Sequence, residues 1–246
     1  MTAAQASRPR PVSRREVFRR FLAEKRDPEP FYEGLVERSM HRFPFSLEGA
    51  TVLDLGSGPG HFSRAMAAAG ASVIAIEQDE RSLPVAPDGC QAARGDAESL
   101  PVRSASFDGV FCSNMLEHTP NTEHVFAEIE RILRPGGWAW VSWTNWYSPW
   151  GGHAITPLHY LGAERGLSAY RRLFGEPKGH NIPGRNLWPT SIGGVLDQVR
   201  AQAGLRLIDA VPRYYPSQRW ITRVPGLREV ATWNCLLLIE RKEPST

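Results

Sequence analysis

Apolar and polar residues along this chain follow two repeating patterns. Short apolar-rich runs of strand length occupy residues 51–55, 71–76, 107–112 and 138–144, and a weaker third strand is predicted over 90–94, so the last two runs are the fourth and fifth strands. Between them lie longer segments in which apolar side chains recur every third or fourth residue, as they do on the buried face of a helix. This alternation of strand-like and helix-like segments predicts an α/β domain built on a largely parallel sheet.

A glycine-rich turn joins the first strand to the helix that follows it. In V-L-D-L-G-S-G-P-G-H-F-S (52–63), glycines stand at every second position, namely Gly56, Gly58 and Gly60. Glycine permits backbone conformations closed to other residues and lets a ligand approach the main chain. A strand, a glycine turn and a helix in this order indicate a nucleotide-like ligand, although structural βα turns share the pattern. A dinucleotide fingerprint would need another glycine at position 61, which is His61.

An acidic residue ends the second strand. Glu77 follows the apolar run 71–76 and lies 23 residues after Asp54. Near this position of a nucleotide-binding βαβ unit, a carboxylate accepts hydrogen bonds from the ribose hydroxyls, and its charge strengthens them. Together with the glycine turn, the spacing predicts a ribose-binding role for Glu77. The alternative is an exposed charge that merely ends a strand.

Five motifs in a fixed order give this chain its resemblance to a known family. They are D-L-G-S-G-P-G, I-A-I-E, G-D-A-E-S-L-P, F-D-G-V-F-C-S-N-M-L-E-H and I-L-R-P-G-G, within Thr51 to Ser142. The set resembles the class I S-adenosylmethionine-dependent methyltransferases, in the small-molecule branch of ubiquinone and menaquinone methyltransferase-like proteins. The resemblance implies an α/β, Rossmann-like, seven-stranded mixed sheet with helices on both faces and an antiparallel last strand, to which this chain adds an aromatic-rich lid insertion.

The resemblance also implies a cofactor, S-adenosylmethionine, with S-adenosylhomocysteine as its product. The turn from Gly56 to Gly60, with Asp54 behind it, would hold the methionine carboxylate and amine, and Glu77 would hold the ribose. The other implied contacts are Gln78 against adenine, Asp96 and the Ala97 amide at the adenine amino group, Ser113 and Asn114 at the sulfonium, and Tyr32 at the methionine end. An aromatic residue at position 32 also suits plain packing. No metal is expected, because no residues show metal-ligand spacing.

Two insertions depart from a minimal domain of this kind. Residues 146–190 follow the fifth strand and are rich in aromatic residues, histidine and glycine. An insertion of this length on the ligand side of the sheet predicts a lid that forms the acceptor pocket and excludes water. The alternative is a packed structural excursion. A second insertion, 212–226, interleaves arginines with aromatic residues and suggests a second pocket wall, or a loop facing lipid or nucleic acid.

Three histidines are candidates for a general base. Methyl transfer from a sulfonium is an in-line displacement, so the protein chiefly positions the nucleophile and excludes water. A base helps when the acceptor atom is a hydroxyl or an acidic carbon, and histidine suits this role near neutral pH. His118 follows the fourth strand beside the expected methyl position, whereas His153 and His159 lie in the lid. Each of them could instead be a structural histidine.

The segment before the first strand is predicted to be a helical cap. Residues 1–12 are rich in Ala, Pro, Arg and Ser and are predicted to be disordered. Ser13 to Glu16 form a capping-box pattern that opens a helix with one apolar and one arginine-rich face. We interpret this helix as packed on the core; peripheral contact with anionic lipid is the alternative. The predicted parts of the single domain 13–246 are cap helices (13–48), cofactor-binding core (49–145), lid (146–190) and closing helix and strands (191–246).

Composition and charge limit the classes of protein. A net charge of +3 among 246 residues is too small to indicate nucleic-acid binding without a clustered patch. Three widely spaced cysteines, an odd number, predict buried free thiols in a reducing compartment. No apolar run reaches 18 residues and no signal-peptide pattern is present, so a cytoplasmic protein is expected. The oligomeric state stays open.

These features predict an enzyme that methylates a small-molecule acceptor, on oxygen, such as a secondary metabolite, a sugar or a lipid. Carbon methylation of a quinone-like ring is an alternative. From a different class, a non-catalytic scaffold that binds S-adenosylmethionine is a further alternative. The fourth strand ends in S-N-M-L (113–116) and lacks the N-P-P-Y or D-P-P-Y that grips a flipped base, so no nucleic-acid substrate is expected.

Overall fold

The computed structural model describes residues 11–24, 26–79, 90–178 and 181–244. Within these ranges one sheet forms from the strands β1 (Thr51–Leu55), β2 (Ser72–Glu77), β3 (Cys90–Arg94), β4 (Phe107–Ser113), β5 (Leu133–Thr144), β6 (Leu205–Pro212) and β7 (Asn234–Arg241). The strand order is β3-β2-β1-β4-β5-β7-β6. Neighbours from β3 to β5 are parallel, and β7 runs antiparallel to both β5 and β6. The predicted mixed sheet with an antiparallel last strand is confirmed.

Helices cover both faces of this sheet. The α-helices in the described ranges are α1 (Arg14–Ala23), α2 (Glu29–His41), α3 (His61–Ala68), α4 (Thr122–Ile132), α5 (Ala163–Phe174), α6 (Ile192–Ala201) and α7 (Leu227–Ala231). Apolar residues of α4 and α6 join strand residues in one buried cluster, whereas α1, α2 and α3 contribute to a second cluster. Burial of apolar surface on both faces is the main favourable contribution to folding.

Helix α1 begins at the predicted cap and lies against the core. The hydroxyl of Ser13 accepts a hydrogen bond from the Glu16 main-chain N–H at 3.2 Å. Phe21 packs edge-on against Trp233, with 4.7 Å between ring centroids. Phe18 remains 41% exposed. The apolar face of α1 is therefore packed on one side and open to solvent on the other.

Two boundaries differ from the sequence pattern. Strand β5 begins at Leu133, before the predicted start at 138, because Leu133 already pairs with Phe107. The pairing register then shifts between Phe107 and Gly109, opposite residues 134–137 of β5. Of the tail predicted to be disordered, residues 1–10 lie outside the described residues. The carbonyl of Val12 accepts a hydrogen bond from Arg38 Nη1 at 2.7 Å.

The lid contains a helix that the sequence pattern did not predict. Helix α5 buries only the backbone position Gly166. Leu173 and Phe174, at its end, are 64% and 69% exposed. Because the apolar side chains of α5 do not face the sheet, a search for core-facing periodicity misses this helix. The second insertion also contains helical turns, at Pro216–Arg223, and α7 follows it.

The cysteines are free thiols: Cys112 and Cys235 are buried, and Cys90 is half-buried. Across the described ranges, no helix is long and apolar enough to cross a membrane. No group of three or more His, Cys, Asp or Glu side chains in that part of the chain is placed to hold a metal ion.

Candidate active site

A cleft of about 1040 Å³ opens at the carboxyl ends of β1, β2 and β4. Its core side is formed by Leu55, by Gly56, which is the lining residue from the glycine turn, and by residues from 76–79, 95–98 and 114–120. Lid residues between Asn181 and Trp188 line the other side. In parallel sheets this edge is where ligands bind, because the loops that follow the strands converge there.

The glycine turn has the backbone conformation that its residues allow. Gly56, Gly58 and Gly60 have φ values of +71°, +50° and +79°. The main-chain N–H groups of Gly56 and Ser57 donate to the carbonyl of Ile76 at 2.8 and 3.2 Å, which fastens the turn to β2. Gly60 then forms the N-terminal cap of α3. Because left-handed backbone is costly for other residues, three glycines are needed here.

We expect Gly56→Ala to destabilise the fold more than Gly58→Ala. An added Cβ at Gly58 meets no atom within 4 Å, so that variant loses only the roughly 1–2 kcal/mol cost of left-handed backbone. At Gly56 the new atom would lie 2.5 Å from Met115 Cγ, which adds overpacking of about 1–3 kcal/mol. Urea unfolding of the two variants measures the difference, and equal losses would contradict the described packing.

Asp54 supports the turn from inside the core. It is 2% exposed, and its Oδ2 accepts a hydrogen bond from the Ser63 hydroxyl at 2.5 Å. Burial raises the pKa of Asp54 to about 7, although the Ser63 bond acts in the opposite direction. Asp54 is not among the residues that line the cleft. Its role is therefore to hold β1 and α3 together beneath the turn.

Asp54 should make the protein less stable as pH rises. Its pKa is about 7 in the folded chain against 3.8 for an ordinary aspartate, so the folded state holds the extra proton between these values. Relative to Asp54→Asn, the wild-type free energy of unfolding should fall by about 4 kcal/mol as pH increases through this window. Urea unfolding of both proteins in acidic and in mildly alkaline buffer measures this; a difference that does not vary with pH would overturn it.

Glu77 faces the glycine turn from the end of β2. Its Oε2 accepts a hydrogen bond from the Gly58 N–H at 3.0 Å. Its Oε1 accepts from the N–H groups of Gln78 and Asp79 at 2.8 and 3.2 Å. Glu77 and Gln78 both line the cleft. The main chain therefore fixes a carboxylate at the cleft, directly beside the turn.

Residues after β3 and β4 complete the core side of the cleft. Asp96 and Ala97 line it next to Glu77, and Asp96 Oδ1 accepts from the Glu98 N–H at 2.9 Å. Asn114 lines it at the end of β4, in a left-handed conformation with φ +56°. Ser113 is turned away from the cleft lining, and its hydroxyl oxygen accepts a hydrogen bond from a buried arginine.

Tyr32 lies beside the glycine turn without lining the cleft. Its ring stacks on His61, the first residue of α3, with 5.3 Å between centroids and 2° between planes. Burial raises the pKa of the Tyr32 hydroxyl above its ordinary value. Tyr32 therefore covers the start of α3, close to where the resemblance places the methionine end of a cofactor.

Of the candidate histidines, His118 is the one that lines the cleft. It is half-buried, and its Nδ1 lies 2.7 Å from the carbonyl oxygen of Asn186. A carbonyl can only accept, so Nδ1 carries the hydrogen and Nε2 of the neutral ring keeps a lone pair. This arrangement fixes the tautomer that a general base requires.

The other two candidate histidines lie behind the cleft lining. His153 has its ring centroid 5.9 Å from that of His118, and its Nδ1 accepts from Asn181 Nδ2 at 3.0 Å. Burial, followed by repulsion from His118 and His159, lowers the pKa of His153 to about 4, so it is neutral near pH 7. His159 is fully buried and donates from Nε2 to the Ser148 carbonyl at 3.1 Å. The structure thus brings His153, but not His159, next to His118.

Two residues at the site were given no individual role by the sequence, although Arg213 belongs to the second insertion, 212–226. Arg213 is 7% exposed and donates to Ser113 and Asn114 from the opposite side of β4. Glu117 is 2% exposed; its Oε1 accepts from the Thr144 N–H at 2.9 Å, and its carbonyl accepts from a lid N–H. Both stand beside residues that the sequence did highlight, but burial of their charges is not visible in a sequence.

Comparison with known proteins agrees with this geometry. Residues 53–141 match a family described as methyltransferase domain. A methyltransferase from Mycobacteroides abscessus, itself uncharacterised, is 36% identical over 236 residues, which cover 89% of this chain and 90% of the relative. The match to the relative therefore extends well beyond the motif-bearing core.

Solved structures share the fold at low sequence identity. An S-adenosylmethionine-dependent methyltransferase from Mesorhizobium loti superposes with a TM-score of 0.56 at 20% identity, over 84% of this chain and 98% of that chain. The [4+2]-cyclase SpnF superposes with a TM-score of 0.55 at 18% identity, over 87% of this chain and 82% of that chain. By its relatives the chain belongs to the methyltransferase family, and its fold is that of class I S-adenosylmethionine-dependent methyltransferases.

Proposed function

We propose that this protein transfers the methyl group of S-adenosylmethionine to a hydroxyl of a polar small molecule held under the lid. The observation that carries the proposal is the division of the cleft into two sides. Glu77 and Asp96 present carboxylates on the core side. Asn181, Arg185 and Asn186 present polar side chains on the lid side.

The core side suits the cofactor. The Glu77 carboxylate lies within hydrogen-bond distance of the turn at Gly58, where the space beside the main chain is open. Residues that would hold the cofactor are Gly56, Gly58, Gly60, Glu77, Gln78, Asp96, Ala97 and Asn114. When bound, S-adenosylmethionine supplies a methyl group activated by its positive sulfur. The residues around it have to orient the acceptor and exclude water.

The size of the cleft allows two ligands side by side. Pockets for one small molecule usually measure roughly 300–1,000 Å³. The cleft, at about 1040 Å³, reaches the upper end of that range. A cofactor on the core side therefore leaves room for an acceptor beneath Asn186 and Trp188.

His118 is the base that we propose for the transfer. With Nδ1–H held by the Asn186 carbonyl, Nε2 is the ring atom able to take a proton from an acceptor hydroxyl. His153 stands behind it, and its low pKa means that it adds no positive charge beside His118 near neutral pH.

The lining favours a hydroxylated acceptor over a flat aromatic ring. A quinone-like substrate would be expected to lie in a narrow aromatic slot. Besides His118, the described residues that line the cleft include one aromatic side chain, Trp188. The amides and the guanidinium of the lid instead suit a sugar, or the sugar headgroup of a lipid, as the acceptor.

Transfer of a labelled methyl group tests this function. The purified protein, S-adenosylmethionine with a radioactive methyl group and a mycobacterial small-molecule extract are incubated together, since the relatives are mycobacterial. The products are then partitioned between water and organic solvent. We expect label on hydroxylated compounds.

Three other results would overturn parts of the proposal. Label on a quinone fraction alone would favour carbon methylation. Binding of S-adenosylhomocysteine without label in any fraction would favour a scaffold, and the cyclase SpnF shows that this fold alone does not decide the reaction. If calorimetry shows no binding of S-adenosylhomocysteine, the proposal that S-adenosylmethionine is the cofactor is rejected.

A further inference from the structure

Arg213 is a buried cation on the far side of Asn114 from the cleft. Its Nη1 donates to the hydroxyl oxygens of Ser113 and Ser142 at 3.1 Å and to Asn114 Oδ1 at 3.2 Å. Its Nη2 donates to the Ser39 hydroxyl at 3.2 Å. Within the described ranges, no carboxylate lies within the 4.0 Å of an ion pair with this guanidinium. Burial lowers its pKa to about 10, which leaves the side chain charged near neutral pH.

One edge of this guanidinium still has hydrogen atoms to donate. Its Nε is buried and makes no hydrogen bond to the described residues, and Nη2 has a single acceptor for two hydrogens. Nε and Nη2 form the edge that binds a carboxylate or phosphate with two parallel hydrogen bonds. Arg213 Cζ lies 4.6 Å from the ring centroid of Trp140 and 5.6 Å from that of Phe62, so cation–π contacts fix the orientation of the guanidinium. Tyr214 and the buried Glu117 act on Arg213 electrostatically but form no ion pair with it, so an anion on this edge would further offset the cost of burying the charge.

A pocket of about 220 Å³ between α2 and β6 reaches Arg213. Arg38, Arg42 and Arg219 also line it, and Arg219 is paired with Asp209. Arg38 and Arg42 form no ion pair with any described carboxylate. Burial, and then repulsion from Arg42, lowers the pKa of Arg38. The lining formed by Arg38, Arg42 and Arg213, here called the arginine pocket, therefore carries uncompensated positive charge.

We propose that the arginine pocket binds an oxyanion group, a carboxylate or a phosphate, on the free edge of Arg213. The pocket adjoins the cofactor cleft through Asn114, which lines the cleft and accepts a hydrogen bond from Arg213. The group belongs either to the cofactor, as its methionine carboxylate, or to a second anionic ligand such as an acidic acceptor. Both of these sources rest on the proposed function, whereas the oxyanion site itself does not.

Calorimetric titration with inorganic phosphate, at constant ionic strength, tests the arginine pocket. Arg213→Lys keeps the charge but loses the two parallel N–H donors, so this variant should bind phosphate about tenfold more weakly. Arg42→Gln, at an exposed position on the rim, should weaken binding by about threefold, and it tests the pocket even if the buried substitution disturbs folding. Arg172→Gln removes the same charge from the exposed surface of α5 and should change nothing. Absence of phosphate binding, or equal weakening in all three variants, overturns the proposal.

Two nucleosides identify the source of the oxyanion group. S-adenosylhomocysteine carries the methionine carboxylate, whereas methylthioadenosine lacks it. If only the former weakens phosphate binding, the pocket holds the cofactor's carboxylate. If neither weakens it, the pocket serves a second ligand. Either result supports the pocket. Phosphate binding by a protein that transfers no methyl group would leave the arginine pocket standing and reject the proposed function alone.

Discussion

Glu77→Ala is expected to lose about a hundredfold or more in affinity for S-adenosylhomocysteine. The carboxylate lies at the end of β2, within 3.0 Å of the Gly58 N–H and at the wall of the cleft. A hydrogen bond to a charged group contributes about 1.5–3 kcal/mol, so the loss of two ribose contacts costs roughly 3–6 kcal/mol. Calorimetric titration of the variant and the wild type measures the change.

The same substitution removes three internal hydrogen bonds, so folding has to be controlled. Glu77→Gln keeps one acceptor oxygen and should bind with intermediate affinity. Glu123→Gln, an exposed change in the first turn of α4, should bind as the wild type does. Circular dichroism and the thermal midpoint of each variant show whether the fold is kept. A folded Glu77→Ala protein that binds within about threefold of wild type would reject the ribose role.

The sequence predicted the core side of the cleft because chain order and sheet geometry constrain each other there. Glu77 ends β2, whereas Asp96 and Asn114 follow β3 and β4, and parallel strands place their carboxyl ends along one edge. Local residue patterns therefore determined which side chains meet, without any knowledge of tertiary packing. Asp54 and Ser113 come from the same motifs but face away from the cleft, since side chains alternate between the two faces of a strand.

The arginine pocket is a feature that local sequence patterns do not predict. Arg213 donates to partners 71 to 174 residues away in the chain, and no local pattern distinguishes it from Arg219. Within the same interleaved segment, Arg219 is exposed and paired with Asp209, whereas Arg213 is enclosed between the sheet and α2. Burial of a charged side chain is set by the packing of distant elements, which a single sequence does not specify.

The candidate histidines show that a single sequence does not distinguish a general base from a structural histidine either. His159 is closely packed, because a Cβ on Gly152 would come within 2.4 Å of its ring carbon Cγ. Its hydrogen bond goes to a lid carbonyl, so it stabilises the base of the lid. Only tertiary contacts separate this structural histidine from His118, which lies at the cleft. The sequence placed His118 beside the expected methyl position and His159 in the lid, but it left each of them open as a base or as a structural histidine.

His118→Asn should slow methyl transfer by about 10²–10⁴-fold while leaving S-adenosylhomocysteine affinity within about twofold of wild type. Asparagine keeps a hydrogen-bond donor for the Asn186 carbonyl but offers no ring nitrogen to accept a proton. Label incorporation from radioactive S-adenosylmethionine into the extract measures the transfer, and calorimetry measures cofactor binding in parallel.

His124→Asn is the matched control, because His124 is an exposed histidine on α4 outside the lining of the cleft. It should transfer label at the wild-type rate. If His118 only oriented the lid, its replacement would raise the apparent KM for acceptor and leave kcat and the pH profile of the reaction unchanged. If His118 is the base, kcat falls and the acidic limb of the pH profile disappears, since that limb reports protonation of the group that accepts the proton.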